Sequence, residues 1–222
     1  MLEVILDTET TGLSVSSNHR IVEIGCIELD NQIATKKQFH VYINPQRSIS
    51  EDAFKVHGYS EKFLADKKIF KEISKDFLNF IKNKKIIIHN APFDLAFLNY
   101  ELKLINEKPI DIKNVIDTLE IARQKFPGAQ NSLDALCKRF NIDNSKREKH
   151  SALIDCQLLK EVYINLLDQK TPKLNLENHE LNESYYHKDN NKKSNIVIKP
   201  DDNEIELHKK YIKTNSFKNY YS

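Results

Sequence analysis

The feature that most constrains the fold is an apolar run near the N-terminus that passes directly into acidic residues. Residues 4–12 read VILDTETTG, and the unbroken apolar character of Leu2–Leu6 predicts a strand buried on both faces. Alternate side chains of a strand share a face, so Asp7 and Glu9 present two carboxylates together, before Gly12 permits a turn. Paired like charges beside a buried strand are costly unless a cation holds them, which indicates a metal site. An isolated D-x-E is also ordinary turn chemistry.

Composition predicts one globular domain with room for a short appendage. The 222 residues are 40% hydrophobic and 30% charged, and the net charge of +2 is no evidence for nucleic-acid binding by itself. Cys26, Cys137 and Cys156 are isolated, which is typical of reduced core cysteines in a cytoplasmic protein and not of zinc ligands or disulfides. Acidic residues near the N-terminus argue against a signal peptide, and no apolar run has the length of a membrane span.

Hydrophobic periodicity predicts an α/β domain with a mixed sheet. Few residues separate the first three predicted strands, so we expect an antiparallel meander, whereas the later strands alternate with helices. The predicted strands after the first are Arg20–Leu29, Lys37–Ile43, Lys85–Ile88 and one around Val115–Asp117, and the predicted helices include Phe70–Ile81, Leu119–Lys125, Ser132–Phe140 and one that runs to about Leu167.

Two further segments place acidic residues at comparable positions. Asp94 lies in the first turn of the helix that follows Lys85–Ile88, and Asp155 lies in the opening of the last long helix. Each carboxylate could simply stabilise a helix N-terminus, by about 0.3–1 kcal/mol. Residues five apart on a helix point about 140° away from each other, so His150 approaches Asp155 most easily from the loop before the helix. A histidine on such a loop suits a general base.

Three segments together resemble the motifs of a known enzyme family. DTETTG at residues 7–12, HNAPFD at 89–94 and HSALID at 150–155 are similar to the three motifs of the DEDDh 3′–5′ exonucleases. Each motif alone is weak, but all five catalytic residue types occur in the family's order. The resemblance extends over residues 1 to about 168, and it implies a ribonuclease H-like fold with a mixed five-stranded sheet flanked by helices.

Two intervening segments narrow the resemblance to the proofreading exonucleases of bacterial DNA polymerase III. These segments are VHG at residues 56–58 and PGAQNSLDALC at residues 127–137. Ser151 departs from the family pattern, which usually has glycine after the histidine. A serine suits a helix start, so we expect little consequence from this departure.

The resemblance implies hydrolysis of terminal phosphodiesters with release of nucleoside 5′-monophosphates. Two divalent ions about 3.5–4 Å apart would activate water, stabilise the phosphate charge and assist the leaving oxygen. Carboxylate ligands without cysteine favour Mg²⁺ or Mn²⁺ over Zn²⁺. By this resemblance, Asp7 bridges both ions and Glu9 and Asp155 bind one of them. Asp94 acts nearby, and His150 accepts the proton of the attacking water.

The same resemblance implies contacts with the 3′-terminal nucleotide. The residues expected to contact substrate are Asp7, Glu9, Thr10, Leu13, His57 and Asp155. Backbone from Thr10 to Leu13 would hold the nucleotide, with Leu13 as a wedge beside the base. His57 has an equally good structural interpretation, and Phe93 fits the core better than a substrate contact. Stacking and phosphate contacts of this kind tolerate any base sequence.

The C-terminal part of the chain differs in composition from the exonuclease domain, which we place at residues 1–170. Residues 171–203 are rich in Asn, Lys, Glu and Asp, which predicts a flexible linker. Apolar residues return at helical spacing in residues 204–222, and the resemblance implies that this segment docks on the DNA polymerase III catalytic subunit. Gln169–Leu176 is a candidate sliding-clamp peptide, or it packs on the last helix of the domain.

Three other functions compete with DNA proofreading. An RNA-trimming DEDDh exonuclease would use the same chemistry on 2′-hydroxyl-bearing ends, although it has less need of a long tail. An aspartyl phosphatase also ends a strand in acidic residues, but Glu9 replaces its second aspartate and the later histidine motifs stay unexplained. A non-catalytic binding module is disfavoured by the complete set of acids with His150.

Overall fold

The structure is a computed structural model, and it describes residues 1–145, 147, 149–167 and 201–215 of the chain. The described residues fall into two units, of which the first reaches residue 167 and the second is a single helix. The candidate clamp peptide Gln169–Leu176 and nearly all of the predicted linker at 171–203 lie outside the described residues.

In the described part of the chain, five strands form one mixed sheet in the order β3-β2-β1-β4-β5. The strands are β1 (Leu2–Thr10), β2 (Ile21–Asp30), β3 (Ile33–Tyr42), β4 (Lys85–Ile88) and β5 (Val115–Asp117). Strands β1, β2 and β3 pair antiparallel, whereas β1, β4 and β5 pair parallel, so the predicted meander and mixed sheet are confirmed. Strand β1 continues past its predicted end because β2 pairs with it as far as Thr10.

Helices cover both faces of the sheet in the first unit. They are α1 (Glu51–His57), α2 (Glu61–Leu64), α3 (Phe70–Ile81), α4 (Ala91–Leu104), α5 (Thr118–Lys125), α6 (Leu133–Phe140) and α7 (Ala152–Leu166). Helices α3 and α4 bury Phe70, Phe77 and Phe97 in one cluster with Val4 and Leu6 of β1. Helix α7 buries Cys156, Leu159 and Tyr163 with Ile5, and its outer side packs against α5 and α6.

Two glycines permit close contacts near the carboxyl end of β1, one between β2 and α7 and one in the turn that follows β1. A Cβ on Gly25 would lie 2.5 Å from the backbone carbon of Ala152, so the first turn of α7 sits directly on β2. A Cβ on Gly12 would collide with the ring of His19. The φ of Gly12 is not in the left-handed region, so the turn does not require glycine as we expected. The absence of a side chain at Gly12 instead leaves room for the ring of His19.

The second unit is helix α8 (Asp202–Asn215). Its start agrees with the helix expected from residue 204. Leu207 and Tyr211 are 68% and 65% exposed, so they present apolar surface to solvent. Among the described residues, no helix combines the length and apolar character needed to cross a membrane.

Candidate active site

Strand β1 supplies the first two acidic side chains. Asp7 is half-buried and Glu9 is 8% exposed, and both lie near the carboxyl end of β1. Thr8, between them, points to the other face of the sheet, where its hydroxyl donates a hydrogen bond to Oδ1 of Asp94 (2.6 Å). Because alternate residues of a strand point to opposite faces, Asp7 and Glu9 lie on one face of the sheet. Thr8, which bonds Asp94, lies on the other face.

Asp94 arrives from the parallel neighbour of β1. Strand β4 pairs parallel with β1, and α4 begins three residues after β4 ends, so its first turn lies at the carboxyl edge of the sheet. Asp94 is in that turn and is 3% exposed. Helix α4 packs on the face opposite α7, and Asp94 reaches the site around the end of the strand.

Asp155 and His150 come from the beginning of α7. Asp155 is in the first turn and is 3% exposed, while His150 precedes the helix, as predicted. The His150 N–H donates to the carbonyl of Val56 (3.2 Å), which ties this loop to α1. Cys156, which follows Asp155 in α7, donates its thiol hydrogen to the carbonyl of Gly25 (3.2 Å). This contact helps to hold the helix on β2. Nδ1 of His150 lies 3.3 Å from Oδ2 of Asp155.

These elements bring all five predicted catalytic side chains to one cavity of about 700 Å³. The cavity is lined by Asp7, Glu9, Asp94, His150 and Asp155. Ligand atoms of Glu9, His150 and Asp155 lie within 4.8 Å of one another, close enough to share one ion. The acids are up to 148 residues apart in sequence, and the parallel β1–β4 pair and the packing of α7 on β2 bring them together.

Burial makes Asp7, Glu9 and Asp94 hard to ionise, and the charges of neighbouring carboxylates add to the effect. Burial raises the pKa of Asp7 well above its usual range, and the charges of Asp94, Asp155 and Glu9 raise it further. Burial, followed by the charge of Asp155, raises the pKa of Glu9 to about 8. Burial raises the pKa of Asp94 to about 7 despite the opposing hydrogen bond from Thr8. A cation would remove this penalty by stabilising the ionised forms.

The residues present fit a hard divalent cation. Four carboxylates supply oxygen donors and His150 supplies one nitrogen, whereas Cys156 is turned away into the core. Oxygen-rich sites of this kind suit Mg²⁺ or Mn²⁺ better than Zn²⁺. The raised pKa values of Glu9 and Asp94, caused first by burial, agree with positive charge being held in the cavity.

Sequence reasoning missed Arg147, which enters the site from the loop before α7. Its Nη2 donates to Oδ2 of Asp155 (2.6 Å), and its Nε lies 2.6 Å from Oδ1 of the same carboxylate. Nη1 donates to Asp134 on α6 (2.6 Å). The side chain is only 7% exposed. Within a run of charged residues, nothing in the sequence distinguishes this arginine from a solvated one.

Sequence reasoning also missed Glu23, a fully buried carboxylate on β2. One oxygen accepts hydrogen bonds from His40 (2.7 Å) and from the hydroxyl of Ser151 (3.0 Å). The other accepts from the hydroxyl of Tyr59 (2.7 Å) and the N–H of Ala152 (3.0 Å). Glu23 therefore fixes the start of α7 beside His150. A charged residue among the apolar residues that begin β2 was the available signal.

Ser151 has a role that its expected place at a helix start does not explain. It is the N-cap residue of α7, but its side chain makes no capping hydrogen bond. The hydroxyl donates to Glu23 instead, so Ser151 adds a bond that glycine could not make. The structure thus shows a local hydrogen bond from Ser151, and the expectation of little consequence stays a prediction.

The predicted substrate-contacting residues line the same cavity. Leu13 is 84% exposed at its mouth, as a wedge beside a base requires. Thr10 donates through its hydroxyl to the carbonyl of Gly12 (2.7 Å), which fixes the turn. His57 is buried, accepts a hydrogen bond from the N–H of Tyr59 (2.9 Å) and stacks on its ring, so it has a structural role as well. Phe93 packs on the core and also borders the cavity.

Comparison with known proteins agrees with this architecture. A family model described as RNase_T, exonuclease, matches residues 4–163. The DNA polymerase III subunit epsilon of Rickettsia felis is 49% identical to this chain over 217 residues, which cover 95% of each protein. Exonuclease X, solved in complex with 5′ overhanging duplex DNA, is 27% identical with a TM-score of 0.59, over 76% of this chain and 94% of that one.

A second solved structure shares the fold at lower identity. It is the nuclease domain of 3′hExo, a DEDDh family member bound to rAMP, with 19% identity and a TM-score of 0.66. The match covers 76% of this chain and 92% of that one. The predicted ribonuclease H-like fold with a mixed sheet flanked by helices is thereby confirmed.

Proposed function

This chain belongs to the DNA polymerase III subunit epsilon family of RNase_T exonucleases, and we propose that it is a proofreading 3′–5′ exonuclease. Its substrate is a single-stranded or mispaired DNA 3′ end, and its product is a nucleoside 5′-monophosphate. The observation that carries the proposal is the single cavity lined by the four acids and His150. This set of side chains matches the needs of phosphodiester hydrolysis, and a non-catalytic binding module would not require it.

We assign metal binding to three of the four acidic residues. Asp7, Glu9 and Asp155 would hold the Mg²⁺ or Mn²⁺ ions, and Asp94 would act beside them. When bound, such ions supply charge stabilisation at the phosphate and at both oxygens of the displacement. The buried carboxylates are held in place beforehand, by Thr8 for Asp94 and by the packing of α7 for Asp155.

His150 is the general base of the proposed reaction. It lies at the cavity rim with its side chain 45% exposed, so solvent can carry the accepted proton away. Its backbone N–H is bonded to the carbonyl of Val56, which fixes the loop through the main chain. Positioned bases of this kind contribute typically 10²–10⁴-fold to the rate.

The shape of the cavity favours a frayed 3′ end over a paired one. Thr10 fixes the turn after β1, and Leu13 projects from that turn at the cavity mouth. An exposed leucine beside the terminal base can separate it from its neighbour, and a mispaired base has already lost part of its pairing energy. Exonuclease X, which shares this fold, is solved with duplex DNA.

The second unit suits attachment to the polymerase. Helix α8 exposes Leu207 and Tyr211, and the closely similar R. felis protein is named as a subunit of DNA polymerase III. We assign this helix, within residues 204–222, to docking on the catalytic subunit, which would raise the local concentration of the nuclease. Gln169–Leu176 stays a candidate clamp peptide.

A mismatch assay tests the proposal. The full chain with Mg²⁺ should trim a primer with a mispaired 3′ end faster than the fully paired primer. Matched single-stranded DNA and RNA oligomers supply the second comparison, and DNA should be degraded faster. Faster degradation of RNA would favour the RNA-trimming function, and no 3′–5′ hydrolysis of either polymer would refute the exonuclease assignment.

A further inference from the structure

Arg147 occupies the position in which a cation would neutralise Asp155. Its planar guanidinium faces both oxygens of this buried carboxylate: Nη2 donates a hydrogen bond to Oδ2 at 2.6 Å, and Nε lies 2.6 Å from Oδ1 as an ion-pair contact without a hydrogen bond. The side chains of Arg147 and Asp155 are only 7% and 4% exposed, so solvent screens their attraction weakly. The planar fork of an arginine matches the two oxygens of a carboxylate.

The same guanidinium occupies a lone pair of His150. Nη2 lies 2.7 Å from Nδ1 of the imidazole. Arginine has donors only, so Nδ1 must accept, and the proton of the neutral ring is on Nε2. The 3.3 Å approach of Nδ1 to Asp155 is therefore not a hydrogen bond in this arrangement. One side chain thus holds both the acid and the base that α7 brings to the site.

Asp134 gives Arg147 a second anchor outside the cavity. Nη1 donates to Oδ1 of Asp134 at 2.6 Å, and this carboxylate is 55% exposed on α6. Asp134 does not line the cavity, whereas Arg147 does. If a metal ion takes Asp155, Asp134 is a partner that the guanidinium can keep.

We propose that Arg147 is a positioning residue that neutralises Asp155 and holds His150 in the metal-free enzyme, and that it competes with the metal ion for Asp155. This inference rests on the proposed function, since it assumes that Asp155 binds metal. It follows that removing Arg147 strengthens metal binding while weakening the metal-free fold. An arginine with a purely structural role would give the second effect without the first.

Mn²⁺ binding to the full chain, measured by calorimetry without nucleic acid, tests this inference. The variants are Arg147→Ala, Arg147→Lys, which keeps the charge but loses the fork, and Arg139→Ala, which removes an equal charge from α6. We expect Arg147→Ala to lower the Kd for Mn²⁺ by about tenfold or more, because an opposing unit charge leaves the buried site. Arg147→Lys should fall between it and the unsubstituted chain, and Arg139→Ala should match the unsubstituted chain.

Thermal unfolding in EDTA supplies the second readout. Arg147→Ala should unfold at a lower temperature than the unsubstituted chain, and Mn²⁺ should raise its Tm by more. An unchanged or weaker Mn²⁺ affinity in Arg147→Ala, or in Arg147→Lys if the alanine variant does not fold, would overturn the inference and leave the proposed function intact. Failure of the unsubstituted chain to bind Mn²⁺ would instead overturn the proposed function.

Discussion

At the residue scale, the site is a place where negative charge is buried in excess. Asp7, Glu9, Asp94 and Asp155 share one cavity, and Arg147 is the cation that contacts Asp155. Isolated buried carboxylates are so costly that they normally bind a proton or a cation. The raised pKa values of Asp7, Glu9 and Asp94 express that cost directly.

This cost predicts a pH-dependent gain in stability from metal. The folded-state pKa values of Glu9 and Asp94, about 8 and about 7, lie above their ordinary values near 4. The folded state therefore holds protons that the unfolded state releases, and metal-free stability falls as pH rises from about 4 to 8. Mg²⁺ should raise the Tm more at pH 8 than at pH 6, because it relieves a penalty that protons relieve at lower pH.

Thermal unfolding in EDTA and in excess Mg²⁺ at both pH values measures this difference. Asp76→Asn, at an exposed position on α3, should keep the same dependence as the unsubstituted chain. An equal Tm increase at pH 6 and pH 8 would contradict the link between these carboxylates and the metal.

Glu23 carries the second prediction at this scale. Glu23→Gln replaces an acceptor of four hydrogen bonds with an amide that has one oxygen, so two donors lose their partner. Hydrogen bonds to charged groups contribute about 1.5–3 kcal/mol each, so we expect a loss of at least about 2 kcal/mol in the free energy of unfolding. Urea unfolding measures it, with Glu107→Gln at an exposed position as the control. Equal stability of the two variants would argue against this role of Glu23.

The sequence allowed the acids to be predicted but not their partners. Asp7, Glu9, Asp94 and Asp155 sit in the three segments that resemble the DEDDh motifs, and that resemblance predicted that they share one site. The partners of Arg147 and Glu23 lie up to 129 residues away, and no local pattern encodes such a pairing. A charged residue in an apolar strand can be recognised from the sequence as buried. Its hydrogen-bond partners can be identified only from the folded structure, because they are distant in sequence.

At the scale of elements, two helices on opposite faces of the sheet begin at one edge. Helix α4 follows β4 to deliver Asp94, and α7 lies on β2 to deliver Asp155. Periodicity predicted Phe70–Ile81 and Lys85–Ile88 as they are found. The length of β1 was underestimated because strand ends depend on pairing with a neighbour, and that information is not local.

Because α7 contacts β2 at Gly25, even a methyl side chain at this position would disturb the packing of α7 on β2. Gly25→Ala would place a methyl group 2.5 Å from the backbone of Ala152, so α7 must move outward with Asp155 and His150. We expect a loss of about 1–3 kcal/mol in the free energy of unfolding, as for other overpacked sites, and a fall in exonuclease rate. Ala34→Ser, an equally small enlargement at an exposed position on β3, should change neither.

Urea unfolding and single-stranded DNA hydrolysis measure the two effects of Gly25→Ala. Normal stability and normal activity together would show that α7 does not need its close approach to β2.

At the scale of the whole molecule, catalysis and attachment are assigned to different units. The cavity residues lie between residues 7 and 155, whereas Leu207 and Tyr211 are on α8. Composition predicts the end of the exonuclease domain at about residue 170, because the tail lacks the apolar periodicity of a domain core. The partner of α8 was predicted from resemblance alone, since an amphipathic pattern does not specify what covers it.

Truncation after Leu176 tests the division. The shortened chain should hydrolyse single-stranded DNA at the rate of the full chain, because its cavity residues are all present. It should no longer co-purify with the polymerase catalytic subunit, and Leu207→Asp in the full chain should weaken the same association by placing a charge on an exposed apolar position. Loss of nuclease activity on truncation would mean that the tail belongs to the catalytic fold.

The most direct measurement of the central claim is Mg²⁺-dependent release of nucleoside 5′-monophosphates from single-stranded DNA by Asp7→Asn. Asp7 is surrounded by the other acids, so its charge should be essential to holding the catalytic cation. We predict a loss of at least about 10³-fold, equivalent to several kcal/mol of transition-state stabilisation, with the fold retained by circular dichroism. Asp76→Asn should keep full activity. Release by Asp7→Asn at the rate of the unsubstituted chain would contradict the account.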